Sequence, residues 1–214
     1  MEKKYRLLKN DTITVDGRTL YRIEALKDFA NMEKGDKGGY VESEENLSQE
    51  DGCWVYDEAV VYNNARVCDD AKVYGKAEVY DDAWVYGKAE VYGKAKVCDD
   101  AKVYNNARVC DDAKVYGKAE VYGEARVWGK AEVCDDAKVR DTADYYVGKN
   151  IWSSGRYFTY TRSNKMWTVG CFYGTGEELI RKAYQDSDVS GREYKRVVEY
   201  VETMYADLEN DKNK

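Results

Sequence analysis

The sequence predicts a mainly β protein: a parallel β-solenoid with an N-terminal β cap and a small C-terminal α+β module. Three observations lead there. A six-residue phrase of alanine, a polar residue, valine, an aromatic and two turn residues recurs unbroken from Ala59 to Ala137, and Cys53 leads one more copy, CWVYDE, making fifteen hexads. Within each hexad small and valine residues alternate with polar and aromatic ones, the period-two pattern of a strand with one buried face. The closing pairs are Gly-Lys, Asp-Asp, Asn-Asn or Gly-Glu, residues that accept unusual backbone angles or bond their own main chain. A six-residue period is too short for a hairpin meander and has no helical periodicity, so the strands must wind.

Composition narrows the function classes. The 214 residues include 41 acidic and 34 basic side chains, a formal net charge of −7, so unspecific attraction to phosphate backbones is not expected and the partner is expected to be a protein. Histidine is absent, which removes the usual general base and the commonest metal ligand. No catalytic residue, metal ligand or cofactor is nominated. The first residues hold no apolar core of signal-peptide length and no later run approaches a membrane span. A cytoplasmic location, in a cell of its own or in an infected host, is the expectation.

Taken in order, residues 1–40 hold short strand-like stretches, KYRLLK, TITV and RTLYRIEAL, and are expected to form the N-terminal β cap that the exposed end of a solenoid requires. Val41 and Leu47 stand twelve and six residues before Cys53, so winding is expected from about Gly38 and the solenoid is assigned to 41–148.

The phrases VYGKAE, VCDDAK and VYNNAR resemble those of the hexapeptide-repeat left-handed parallel β-helix, over roughly residues 41–146. That resemblance implies three hexads, or 18 residues, per triangular coil, and hence five coils from the fifteen hexads. At about 4.8 Å per coil the prism would be about 24 Å long. Left-handedness rests on the resemblance alone, since parallel crossovers in general favour the right hand. The stretch KGDKGGYVESEENLS followed by CWVYD also resembles the start of YdcK-type hexapeptide proteins and of repeat proteins encoded by phages and prophages, which implies a family-wide cap and a phage or prophage origin.

With that coil length the fourth positions stack on three faces: Tyr56, Tyr74, Tyr92, Cys110 and Trp128; Tyr62, Tyr80, Cys98, Tyr116 and Cys134; Cys68, Tyr86, Tyr104, Tyr122 and Arg140. A ladder on every face reads as cross-coil packing more than as a binding site. Second positions alternate in sign, as in Lys72, Glu90 and Arg108, a solvated charge ladder. One edge stacks Asn63-Asn64, Asp81-Asp82, Asp99-Asp100 and Asp135-Asp136, interrupted by Gly117-Lys118. Asp81, Asp82, Asp99, Asp100, Asp135 and Asp136 form an alternative site, where spaced carboxylates would imitate DNA phosphates or hold calcium, although Asp and Asn are also ordinary turn formers. No two of Cys68, Cys98, Cys110 and Cys134 stand in adjacent coils, so they read as tyrosine substitutes in a reducing compartment.

After Ala143 the period dissolves. Residues 149–214 are expected to form a ββαα module: strands IWSSGRYFTYT and KMWTVGCFY, a Thr175–Glu178 capping box opening one helix, and a second helix after Gly191 with Tyr194, Val197, Val198, Val201, Tyr205 and Leu208 on one face. The VGCFYGTGEEL segment resembles the C-terminal module of the phage-type repeat proteins; it lacks the Gly-Lys-Ser/Thr of a phosphate loop. Trp152, Arg156, Tyr160, Arg162 and Trp167 are the candidate partner-binding residues, of types enriched in binding hot spots. Core packing accounts for most of the aromatics and least for the two arginines.

The expected function is a non-enzymatic structural or interaction protein, with the C-terminal module binding a partner or a second copy of the chain. The alternative is a phage-encoded, anti-CRISPR-like inhibitor of a host nucleic-acid-processing enzyme, acting through the acidic edge or the module. Acyl transfer, the commonest activity on a hexapeptide helix, is set aside because the chain has no histidine and no loop interrupting the hexads after Cys53.

Overall fold

Each hexad forms one rung of a three-sided parallel solenoid in the computed structural model, which describes residues 2–212. Strands β1 (Tyr5–Val15), β2 (Arg18–Ala25) and β3 (Lys37–Val41) precede fifteen two-residue rungs, β4 (Trp54–Val55) through β18 (Lys138–Val139). Each rung pairs in parallel with the rung 18 residues on, as Val73 with Val91 and Val91 with Val109. The first-position alanines from Ala59 to Ala137 and the third-position valines from Val73 to Val139 are fully buried. Each buried valine contributes about 1.5–3 kcal/mol relative to exposure.

The corners explain the turn pairs. Every fifth position from Asp57 to Asp135 has a left-handed φ, from 52° at Asp135 to 74° at Gly93. Only glycine, or an asparagine or aspartate bonding locally, sits there without a penalty of about 1–2 kcal/mol.

Winding begins at β3, as expected, but in a different phase. Val41 pairs with Val61 and Leu47 with Val67, separations of 20 residues where later coils use 18. Val41 and Leu47 therefore occupy the third, valine position and not the first position that counting from Cys53 assigns. The two extra residues lie in the bend between Leu47 and Cys53, which Lys4 closes. Its buried amine donates to the carbonyls of Glu50 (2.8 Å) and Cys53 (3.1 Å). Burial pushes the Lys4 pKa down, and the Cys53 thiol opposes that shift. The hairpin β1–β2 extends one solenoid sheet in antiparallel sense, β2 on β3. Tyr5 and Phe29 pack edge-on to the buried Trp54, at centroid distances of 5.9 and 5.3 Å.

The chain divides into two compact units between Thr142 and Ala143. The second holds four antiparallel strands, not two: β19 (Tyr145–Lys149), β20 (Tyr157–Thr161), β21 (Met166–Val169) and β22 (Phe172–Gly174), in that order across the sheet. β19 thus starts inside the stretch assigned above to the solenoid, and the stretch KMWTVGCFY turns back on itself at Gly170, where φ is 59°. Helix α1 (Gly176–Asp186) opens with the expected capping box: Thr175 Oγ1 accepts from the Glu178 N–H, and Glu178 Oε2 accepts from the Thr175 N–H.

Helix α2 (Asp188–Lys212) starts earlier than expected because Gly191 is not a break. A Cβ there would lie 2.3 Å from the Tyr184 ring, so Gly191 is what lets α1 and α2 approach. Phe158, Tyr160, Trp167 and Val169 of the sheet form one core with Leu179, Ala183, Tyr194, Val198, Val201 and Tyr205 of the helices. Among the described residues, no helix is long and apolar enough to cross a membrane.

Candidate functional site

The solenoid repeats its surface coil after coil, and its ladders are occupied with one another. Tyr74 stacks on Tyr92 at 4.7 Å and Tyr86 on Tyr104 at 4.9 Å, both nearly parallel. Where cysteine replaces tyrosine, the tyrosine one coil earlier bonds it through its hydroxyl: Tyr80 with Cys98, Tyr92 with Cys110, Tyr116 with Cys134. Cys110 and Cys134 are buried and Cys98 is half-buried, although all three occupy the outward position, and no disulfide joins the cysteines. Second-position charges pair between coils, Lys96 with Glu78 and Lys114 with Glu132, both at 2.9 Å. These surface pairs contribute little to stability.

On the acidic edge, Asp81 is half-buried while Asp82, Asp99, Asp100, Asp135 and Asp136 are exposed. Much of its fifth- and sixth-position chemistry is structural. Asp81 accepts from the Asn63 amide at 2.7 Å, Asp82 from Asn64 at 3.0 Å, and Asp99 from the Gly117 N–H at 2.9 Å. The same carboxylate-to-glycine bond joins Asp57 to Gly75, Asp69 to Gly87 and Asp111 to Gly129 on the other corners. Asp81, Cys98 and Asp99 place three donor atoms within 4.8 Å of one another. Both aspartates there already accept a corner hydrogen bond, Asp81 through Oδ1 and Asp99 through Oδ2.

In the second unit the candidate residues separate into three environments. Trp167 is fully buried and Tyr160 is 3% exposed. Trp167 donates its indole N–H to Glu202 at 3.0 Å, and the two rings lie 5.0 Å apart. They hold the sheet to the helices. Arg162 is also accounted for: its guanidinium bridges Asp144, at 3.9 Å, and Glu209, at 3.3 Å, tying β20 to the end of α2.

Trp152 and Arg156 sit elsewhere, on the loop between β19 and β20, and there the surface is concave. A cleft of about 500 Å³ lies between this loop, Val169 and Phe172 of the sheet side, and the α1–α2 junction. Asn150 organises its wall. Buried to 2% exposure, it accepts from the Ser153 N–H at 2.9 Å and donates to Ser153 Oγ at 2.8 Å and the Tyr194 hydroxyl at 3.1 Å. Burial pushes the Tyr194 pKa up, while Asn150 and Arg156 oppose the shift. Trp152 packs edge-on to Tyr194 at 5.0 Å, and its buried indole N–H has no acceptor among the described residues.

The cleft's apolar lining comes from Val169, Phe172, Leu179 and Ala183; its hydroxyls come from the exposed Ser153, Ser154 and Ser187 and the buried Ser190. Arg156 and Lys182 are the cations on its rim, both exposed, and neither enters an ion pair among the described residues; Asp186 is the one acid lining it. An apolar floor with nearby hydroxyls, Arg156 outside any ion pair among the described residues, and Lys182 over the Phe172 ring at 6.0 Å suits an acidic side chain presented on an apolar segment. Lys182 and Ser190 lie on the two helices, where such residues read in sequence as solvated surface, and Asn150 and Ser187 lie in connecting segments that carry no motif. Only their meeting with the 150–156 loop gives them a role.

No family model matches the sequence, and no curated protein matches it.

Proposed function

We propose that the chain is a non-enzymatic interaction protein, in which the solenoid is a rigid scaffold and the second unit binds a protein partner at the Arg156–Lys182 cleft. The observation that carries the reading is the pair of exposed cations, free of ion pairs among the described residues, over an apolar floor. The first unit has a cleft of similar volume, about 490 Å³, but its lining is charged and polar side chains without an apolar floor, and Arg108 there pairs with Glu90 at 3.4 Å. A ligand on the side of the solenoid would meet nearly the same surface at successive coils, with poor register, whereas the Arg156–Lys182 cleft is not repeated among the described residues. Trp152 supports the reading from behind the loop by fixing Tyr194, and Arg156 is the sequence-nominated residue that reaches the rim.

The experiment is capture by tagged full-length protein from a lysate of its native cell, in parallel with the Arg156→Glu/Lys182→Glu variant. A partner retained by the wild type and lost by the variant is the expected result. Equal capture by both removes the cleft from the account.

One observation favours a second reading. Asp82, Asp100 and Asp136 stand exposed along a single corner, the arrangement by which an inhibitor would occupy the nucleic-acid surface of a processing enzyme. The Asp82→Lys/Asp100→Lys/Asp136→Lys variant tests it, and loss of the partner by that variant alone would make it the better account. Release of thiol from acetyl-CoA above background, with small amine or hydroxyl acceptors, would overturn the non-enzymatic reading itself.

A further inference from the structure

Helix α2 does more than complete the core of the second unit. Tyr194, Val198, Val201 and Tyr205 are buried in that core, whereas Leu208, which the spacing puts with them, is 44% exposed. On the flank of the core face, Glu202, Ala206 and Glu209 follow at the i, i+4 and i+7 positions of one strip. The strip walls a second cavity of this unit, about 370 Å³ in volume. Tyr160 of β20, Lys165 of the turn that follows it and Glu177 at the start of α1 stand among its other lining residues.

Two observations say what fits there. The first is a buried polar group without a partner. Tyr160 is 3% exposed, and its hydroxyl has no hydrogen-bond partner among the described residues. Burial and the carboxylates of Glu202 and Glu209 push its pKa up to about 12, so the hydroxyl end of the ring faces those two acids. An unpaired hydroxyl in that position is costly, and a donor entering the cavity removes the cost.

The second observation is charge. Glu202 uses Oε1 for the Trp167 N–H and Glu209 uses Oε1 for Arg162, while the Oε2 atoms of both have no partner among the described residues. Lys165 is the cation lining the cavity, and it forms no ion pair with Glu177, Glu202 or Glu209. The partial positive charge at the N-terminus of α1 is met by Glu177 and Glu178 of its own first turn. Three carboxylates against one amine select a cationic ligand. A metal ion fits less well, because these three glutamates do not gather donor atoms within 4.8 Å of one another as Asp81, Cys98 and Asp99 do. Glu202 and Glu209 stand about 10 Å apart along the helix, at 1.5 Å per residue. Acceptors so spread favour the planar, five-donor fork of a guanidinium over a compact ammonium.

We infer that this cavity receives an arginine side chain of a protein partner, with Glu202, Glu209 and the Tyr160 hydroxyl oxygen accepting its N–H donors. Ala206 keeps the wall between the two glutamates small, and Lys165 opposes the incoming charge. The site shares no residue with the Arg156–Lys182 cleft and is opposite to it in sign, so the two stand or fall separately.

The test titrates N-acetyl-arginine methylamide into the full chain, follows amide chemical shifts by NMR, and checks the folding of each variant by circular dichroism. The wild type is expected to bind the probe saturably, with shifts centred on Tyr160, Glu202 and Glu209. The lysine analogue should bind more weakly and the glutamate analogue not at all. Tyr160→Phe removes the hydroxyl and keeps the ring, and should weaken binding about threefold or more, while Glu209→Gln should weaken it about tenfold. Lys165→Gln, which removes the opposing charge, should tighten it. The cleft variant Arg156→Glu/Lys182→Glu should bind the probe as the wild type does. Absence of saturable binding, a glutamate or lysine analogue that binds as well as the arginine probe, or affinity unchanged by both Tyr160→Phe and Glu209→Gln would overturn the inference.

Discussion

Asp99 accepts the backbone N–H of Gly117, one coil further on, through Oδ2 at 2.9 Å. Its own φ is 56°, so the residue both takes the left-handed corner and ties that corner to the next. Alanine there loses the hydrogen bond and is strained at that φ, and Asp99→Ala should destabilise by about 1–3 kcal/mol. Asn keeps an acceptor and tolerates the angle, so Asp99→Asn should cost much less. Urea denaturation compares them; equal losses would show that the corner bond contributes nothing.

The inward assignment of alanine and valine has its own test. Val91 and Val103 are fully buried, and Val→Asp at either leaves a charge without a partner, with a cost of several kcal/mol. Tyr92→Ser removes a stacked ring from a half-exposed face and should cost about 0.5–1.5 kcal/mol. Similar falls in Tm for the core and face substitutions would contradict the assignment.

The tyrosine ladders make stability sensitive to alkali. Burial raises the pKa of Tyr74, Tyr80, Tyr104 and Tyr116, and the Glu90 and Glu120 carboxylates add to the effect at Tyr74 and Tyr104. An unfolded tyrosine titrates near pH 10. The folded state holds these protons more tightly, so their contribution is fully present below about pH 10 and is lost as pH rises through the folded values. Tm should fall steeply above about pH 10, with phenolate absorbance appearing together with unfolding. A Tm that stays level while phenolate forms would show that the ladder tyrosines ionise in place.

The periodic part of the chain was the legible part. Alternation in each hexad set the buried alanines and valines, and the Gly, Asn and Asp of the corners announced their left-handed φ. What misled was local exception. The phase of Val41 and Leu47 is not legible because the two-residue insertion closed by Lys4 has no signature in a six-residue period. In the second unit, Gly191 looked like a helix break because sequence alone cannot distinguish a glycine that ends a helix from one that lets a ring approach. Trp167 and Arg162 were nominated by residue type, and type does not reveal that Glu202, Asp144 and Glu209 already hold them.

That division gives a paired prediction. Trp167→Ala removes a fully buried ring and should cost about 3–5 kcal/mol, unfolding the second unit at moderate temperature. Arg156→Ala, on an exposed rim, should change stability by about 0.5 kcal/mol or less. Thermal melts followed by tryptophan fluorescence would separate them, and a mild effect of Trp167→Ala would return that residue to the binding surface.

The central claim is that recognition belongs to the cleft at Arg156 and Lys182 and not to the sides of the solenoid. Calorimetric titration of the purified partner against three full-length proteins tests it most directly: wild type, Arg156→Glu/Lys182→Glu, and Asp82→Lys/Asp100→Lys/Asp136→Lys. The account predicts that the cleft variant loses about a hundredfold or more in affinity, as for a hot-spot pair, while the corner variant binds as the wild type does. Undiminished binding by the cleft variant, with loss in the corner variant, would contradict it.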